Sequence, residues 1–212
     1  MTTMDDIRAG VLRFREEIFP RRRLHFERLA AHQAPQILFI GCIDSRVNPA
    51  MLCHTDPGDM FVERTPGNLI PVHSSNRSGV SASIEFALTK FEISDVIVCG
   101  HSDCGALKAL LAPPGSLQGV PAVEHWMHYA DKAIAHVNEH HAGLPPKKKL
   151  ARLCEANVLA QIDNLKTHPS VKKRIAEKSI EIHGWTYNIG IGEVHRYDPA
   201  RQKFALWPPK PR

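Results

Sequence analysis

The chain has 212 residues, 43% hydrophobic and 23% charged, enough to bury roughly 70% of the unfolded surface around one core and far from disordered or collagen-like compositions. No apolar run approaches the ~20 residues of a membrane span, and MTTMDDIRAG lacks the charged-then-apolar order of a secretory signal, so a soluble cytoplasmic protein with no membrane partner is expected. The net charge of +5 is dispersed; its tightest clusters, Arg21-Arg22-Arg23 and Lys147-Lys148-Lys149, carry no interleaved aromatics, which argues against a nucleic-acid partner.

Residues 1–33, rich in Arg, Glu and Leu, read as an arm of one or two amphipathic helices interrupted near Pro20. An α/β core over 34–197 follows. Ile37–Gly41 and Asp95–Gly100 are continuous apolar runs ending in Gly, the pattern of strands covered on both faces in a parallel sheet, and Met60–Arg64 is a third strand. Asn48 and Pro49 suit an N-cap and first helical position, while Val80, Ile84, Ala87, Leu88 and Phe91 trace one helical face. After Pro113-Pro114-Gly115, the stretches 121–140 and 148–166 again show helical spacing. Ser179–His183 alternates as a half-exposed strand does, 184–190 and 193–197 form an edge hairpin, and the Pro-rich tail 198–212 runs extended. With no internal repeat and no linker, 1–212 reads as one α/β domain: a mainly parallel central sheet flanked by helices.

The two clearest strands finish in Gly41-Cys42-Ile43-Asp44-Ser45-Arg46 and Gly100-His101-Ser102-Asp103-Cys104-Gly105, at the strand ends where parallel sheets bind ligands. Cys42, His101 and Cys104 together would offer two thiolates and an imidazole, a donor set suited to zinc. Three protein ligands leave the fourth position open, as in catalytic rather than structural sites. Cys104 precedes the helical run 106–111, whose N-terminus favours a thiolate. Two thiolates leave zinc little net charge, so another group must help activate water. Asp44 is placed to accept a hydrogen bond there, with Arg46 holding it ionised. The remaining thiols, Cys53, Cys99 and Cys154, read as core fillers, and the odd total of five argues against a disulfide framework. A phosphatase loop is excluded because too few residues separate Cys42 from Arg46, and no Gly-rich nucleotide loop is present.

Cys-x-Asp-Ser-Arg followed by Gly-His-Ser-x-Cys-Gly-Ala closely resembles the signature of the β-carbonic anhydrases, and the likeness extends through Pro57–Arg64, Ser83–Ala87 and Asn157–Gln161 to Gly184–Tyr187. The resemblance implies one zinc per subunit on Cys42, His101 and Cys104, with Asp44 and Arg46 as the catalytic dyad orienting a zinc-bound hydroxide. The reaction implied is reversible hydration of carbon dioxide to bicarbonate and a proton. Substrate contacts carried over are Gln33, the amide of Gly105, and an apolar wall of Phe61 and Phe86. Some members hold an inhibitory bicarbonate with a Trp, an Arg and a Tyr; Arg64 and Tyr187 match, but Phe39 stands in the Trp place, so that set is incomplete and an open zinc is expected. Thr65 and Pro66 also depart from the family's pattern, where many members have Asn after the Arg. The family implies a homodimer or dimer of dimers, with residues 4–30 packed on the partner and pockets lined by both subunits. Two rivals stay open: hydrolysis of carbon disulfide or carbonyl sulfide at the same metal, and a non-catalytic zinc-binding scaffold, which would need neither Asp44 nor Arg46.

Overall fold

The structure is a computed structural model that describes residues 1–74, 78–113 and 115–209. It divides into two compact units, Met1–Ala34 and Pro35–Arg212. The first unit is helical: α1 (Met4–Arg13), a π-helical turn (Phe14–Ile18), α2 (Phe19–Arg21) and α3 (Arg23–Ala31). Thr3 opens α1 with a reciprocal cap, its hydroxyl accepting from the Asp6 amide at 3.2 Å while the Asp6 carboxylate accepts from the Thr3 amide at 2.8 Å. The interruption expected near Pro20 is present. Proline has no amide hydrogen to donate and its ring crowds the carbonyl four residues back, so the ladder widens into the π turn ahead of it and breaks at Arg22 (φ −116°, ψ 17°). Ile7, Val11, Phe14 and Ile18 remain solvent-exposed along this unit.

The second unit is built on six strands: β1 (Ile37–Cys42), β2 (Met60–Thr65), β3 (Asp95–His101), β4 (Glu181–Asn188), β5 (Glu193–Asp198) and β6 (Lys203–Trp207). Their order is β2-β1-β3-β4-β5-β6, with the first four parallel and the last two antiparallel. Helices α4 (Pro49–Cys53), α5 (Gly79–Lys90), α6 (Gly105–Leu111), α7 (Pro121–Met127), α8 (Asp131–His140), α9 (Pro146–Leu165) and α10 (Pro169–Ala176) complete it. Alternation along the strands sorts the core. Leu38, Ile40, Val96 and Val98 pack against α5 and α9, whereas Phe39, Ile97, Cys99 and Trp185 form a cluster of their own. Each such side chain contributes about 1.5–3 kcal/mol on burial. Where α9 crosses β3, no side chain fits: a Cβ on Gly100 would lie 2.9 Å from both Cys154 Sγ and Val158 Cγ2.

The same helix also carries a buried polar stripe. The Asn157 amide donates to Gly67 O at 3.0 Å, Gln161 accepts from the Ile70 amide at 2.7 Å, and Asn164 donates to Ile70 O at 3.0 Å. These bonds supply partners for buried backbone that no strand or helix satisfies.

Two expectations near the C-terminus need correction. β4 runs without a break through both the half-exposed strand and the first arm of the expected hairpin; the hairpin is present, Trp185–Asn188 pairing antiparallel with Glu193–Arg196, but β6 lies outside it, so it is not the sheet edge. β4 lies inside the sheet between β3 and β5, and burial of both Gly184 and Trp185 erases the alternation that marked residues before it. The sheet also does not stop at residue 197. Lys203–Trp207, within the stretch expected as an extended tail, pairs antiparallel with β5 and satisfies backbone groups that β5 would otherwise leave open at an edge. The rest of that tail beyond residue 209 and Pro114 lie outside the described residues.

Candidate active site

Because β1 and β3 are parallel neighbours, their carboxyl ends lie side by side. Cys42 ends β1, His101 ends β3, and Cys104 caps α6. The three ligand atoms lie within 4.8 Å of one another, the two sulfurs 3.9 Å apart, and all three residues are buried. The His101 Nδ1 bonds the Ser102 carbonyl at 2.9 Å; a carbonyl only accepts, so Nδ1 carries the proton and Nε2 presents a lone pair. That Nε2 is buried with no hydrogen-bond partner. The contact with Cys104 lowers the Cys42 thiol pKa, while the same contact, together with burial, raises that of Cys104. A charged Cys42 thus opposes ionisation of Cys104. A dication between them would satisfy both sulfurs and the orphaned nitrogen together, and a two-thiolate, one-imidazole set suits zinc.

The loop after β1 folds back on itself. Asp44 Oδ1 accepts from the Arg46 amide at 3.0 Å and from Nε at 2.9 Å, and Oδ2 accepts from Nη2 at 2.7 Å. This two-pronged pair holds the Asp44 carboxyl well below the usual carboxylate range. Asp44 Oδ2 stands 3.8 Å from His101 Nε2, which brings the carboxylate to the edge of the ligand cluster. Arg64, from β2, fixes the loop backbone by donating to Cys42 O at 2.9 Å and Asp44 O at 2.7 Å. Behind the cluster, Ser102 donates its amide to Tyr187 O at 2.8 Å, and the Cys154 thiol donates to His101 O at 3.3 Å. Burial pushes that thiol up to about 12, so Cys154 acts as a neutral prop.

Other residues expected at the site stand elsewhere within the chain. Phe61 pairs with Leu38, four residues before Cys42, which places it about 13 Å back along the sheet. Its ring lies 6.2 Å from that of Phe86, itself 53% exposed, and the two flank a small cavity of about 120 Å³. They form no wall around this chain's own cysteines because β2 runs parallel to β1 and Phe61 is near its start. Gln33 is exposed in the first unit. Tyr187, on β4, is separated from Arg64 by β1 and β3, about 14 Å across the sheet, and the Arg64 guanidinium is engaged with the Cys42 and Asp44 carbonyls. Gly105 opens α6 with its backbone exposed. A cavity of about 900 Å³ lined by Ile97, His183, Trp185 and Trp207 does not include the cysteine–histidine cluster.

A family profile described as carbonic anhydrase matches residues 37–194, the stretch that contains the whole cluster. The β-carbonic anhydrase CcaA superposes with a TM-score of 0.93 at 36% identity, over 99% of this chain and 93% of that one. The chain belongs to the β-carbonic anhydrases. A carbonic anhydrase of Pseudomonas aeruginosa is 42% identical over 202 residues, 95% of this chain and 91% of the relative. Tetrameric β-carbonic anhydrases of Sordaria macrospora give a TM-score of 0.74 at 29% identity, over 91% of this chain and 92% of theirs. Carbonic anhydrases are lyases, and that is the enzyme class of this chain. Sequence reasoning found the three clustered residues and the Asp44–Arg46 pair but missed Arg64 as a loop clamp, Cys154 as a prop, and Asp103, which contacts Arg46. Only the position of Asp103 between His101 and Cys104 signalled it.

Proposed function

We propose that this β-carbonic anhydrase hydrates carbon dioxide reversibly on a zinc held by Cys42, His101 and Cys104, with Asp44 and Arg46 as its catalytic dyad. The observation that carries the proposal is the buried, unpartnered His101 Nε2 facing two sulfurs, with the Asp44 carboxylate 3.8 Å away. Zinc bound there supplies a Lewis acid that makes water a nucleophile at neutral pH. Asp44 accepts the hydrogen bond of the attacking water and fixes its lone pair toward the substrate carbon. Arg46 keeps Asp44 ionised and turned outward in a bidentate pair, which favours an open site over one closed by the carboxylate. The Gly105 amide, free at the first position of α6, donates to a substrate oxygen.

The pocket needs a second copy of the chain. The exposed Phe86 with Phe61, Gln33, and the exposed Ile7, Val11, Phe14 and Ile18 are apolar or polar contacts for a partner in a homodimer or dimer of dimers, as the tetrameric relatives suggest. Carbon dioxide and bicarbonate are the substrates. The five free thiols suit a reducing compartment, the cytoplasm. No helix among the described residues is long and apolar enough to cross a membrane. The test is Asp44→Asn: zinc content should stay near that of the parent while hydration falls by about 100-fold or more. Undiminished hydration would remove the dyad from the mechanism.

A further inference from the structure

Arg46 is 44% exposed, yet its guanidinium is not free to turn. Nε and one Nη2 hydrogen go to Asp44, while Nη1 donates to Asp103 Oδ2 at 3.1 Å and Nη2 also donates to the Asp103 main-chain oxygen at 3.1 Å. A second carboxylate on the same guanidinium should compete with Asp44 for its charge. Lys108, one turn into α6, removes that competition by pairing with the other oxygen of Asp103. The four groups alternate in sign and sum to zero. Asp103 is further marked by its backbone: it holds φ 60°, a left-handed conformation that costs a residue with a side chain on the order of 1 kcal/mol and persists where its surroundings enforce it. In the sequence it occupies the position that the Gly-His-Ser-x-Cys motif leaves open.

We infer that Asp103, charge-balanced by Lys108, is a positioning residue that locks the plane of Arg46 and through it the orientation of the Asp44 carboxylate. The inference rests on the reading of Asp44 and Arg46 given above. It assigns no contact with substrate to Asp103 or Lys108. A fixed guanidinium plane presents Asp44 in one orientation, whereas an Arg46 held only by Asp44 swings with it as an exposed pair does.

The test uses the zinc-loaded full-length enzyme and its Asp103→Ala and Asp103→Asn variants. The Arg46 Nε–H is followed by nitrogen NMR, and hydration is followed as kcat/KM at saturating buffer. Asp103→Ala should speed solvent exchange of the Arg46 Nε–H about tenfold and lower kcat/KM about tenfold with zinc content unchanged, as loss of outer-layer partners does. Asp103→Asn keeps an acceptor for Nη1 and should recover kcat/KM to within about threefold of the parent. Unchanged Arg46 exchange and unchanged kcat/KM in Asp103→Ala overturn the inference. Equal loss in both variants also overturns it, because the acceptor then does not matter. If Asp103→Ala fails to fold, Lys108→Met decides: faster Arg46 exchange supports the pair's role and unchanged exchange refutes it. Should Asp44→Asn retain full hydration, the dyad reading fails on its own, and Arg46 exchange still reports whether Asp103 holds the guanidinium.

Discussion

An imidazole nitrogen buried without a partner is destabilising by roughly 1–3 kcal/mol, and a metal ion held between His101 Nε2 and the two sulfurs would remove that cost. His101→Gln should therefore bind zinc more than about 100-fold less tightly, since even partners one layer out are worth 10- to 100-fold; competition with a chelating dye measures it. His168 tests a different kind of burial. Its Nε2 donates to Pro71 O at 2.9 Å, and desolvation lowers its pKa below the ordinary value. The unfolded chain then binds the extra proton more readily, so this contribution is complete above about pH 6.5 and is lost as pH falls below it. His168→Gln, which keeps a donor, should show a flatter loss of melting temperature between pH 7 and pH 5 than the parent; equal slopes would remove His168 from the account. The cluster was legible because Cys42 and His101 each end a strand whose apolar run is unmistakable and Cys104 follows three residues after the second. Asp103 was not, because an acid in a turn has the same sequence appearance whether it faces water or a guanidinium.

Strand β3 and helix α9 meet through the missing side chain of Gly100, directly before His101. Gly100→Ala forces Cys154 and Val158 aside, and overpacking of this kind should cost about 1–3 kcal/mol in urea unfolding. An undestabilised Gly100→Ala would mean that α9 packs more loosely than described. The polar stripe of α9 offers a second measurement. Asn164→Leu leaves the Ile70 carbonyl without its 3.0 Å donor and should cost about 1–3 kcal/mol, against no more than about 0.5 kcal/mol for a surface substitution. Periodicity revealed α9 through Leu150, Leu153, Val158, Ile162 and Leu165, all buried except the half-buried Leu150, but it assigned no role to the asparagines and glutamine between them. Their partners are backbone groups about 90 residues away in the chain, and that distance is set by topology rather than by any local pattern. The same cause blurred β4, whose alternation vanishes where α9 covers Gly184 on one face and Phe39 and Trp207 pack on Trp185.

The aromatic pair Phe61–Phe86, expected near the metal, lies about 13 Å back along the sheet, and the proposed pocket is therefore one completed by a second copy of the chain. The helical unit Met1–Ala34 leaves Ile7, Val11, Phe14 and Ile18 exposed, spaced as one helical face. Charge placed there should oppose assembly: Val11→Asp with Phe14→Asp is expected to shift sedimentation from dimer or larger toward monomer and to lower hydration together with it. Loss of assembly with full hydration would show that one chain makes a whole pocket. The fold was legible as a parallel α/β sheet because β1 and β3 carry continuous apolar runs; an arrangement of several copies leaves no such periodic signature in the sequence of one chain. The central claim rests on the cluster of Cys42, His101 and Cys104. Stopped-flow carbon dioxide hydration, measured from pH 7 to 9 against zinc content per chain, tests it most directly. The account predicts activity that rises in proportion to bound zinc up to one per subunit, and a fully zinc-loaded protein without hydration activity would contradict it.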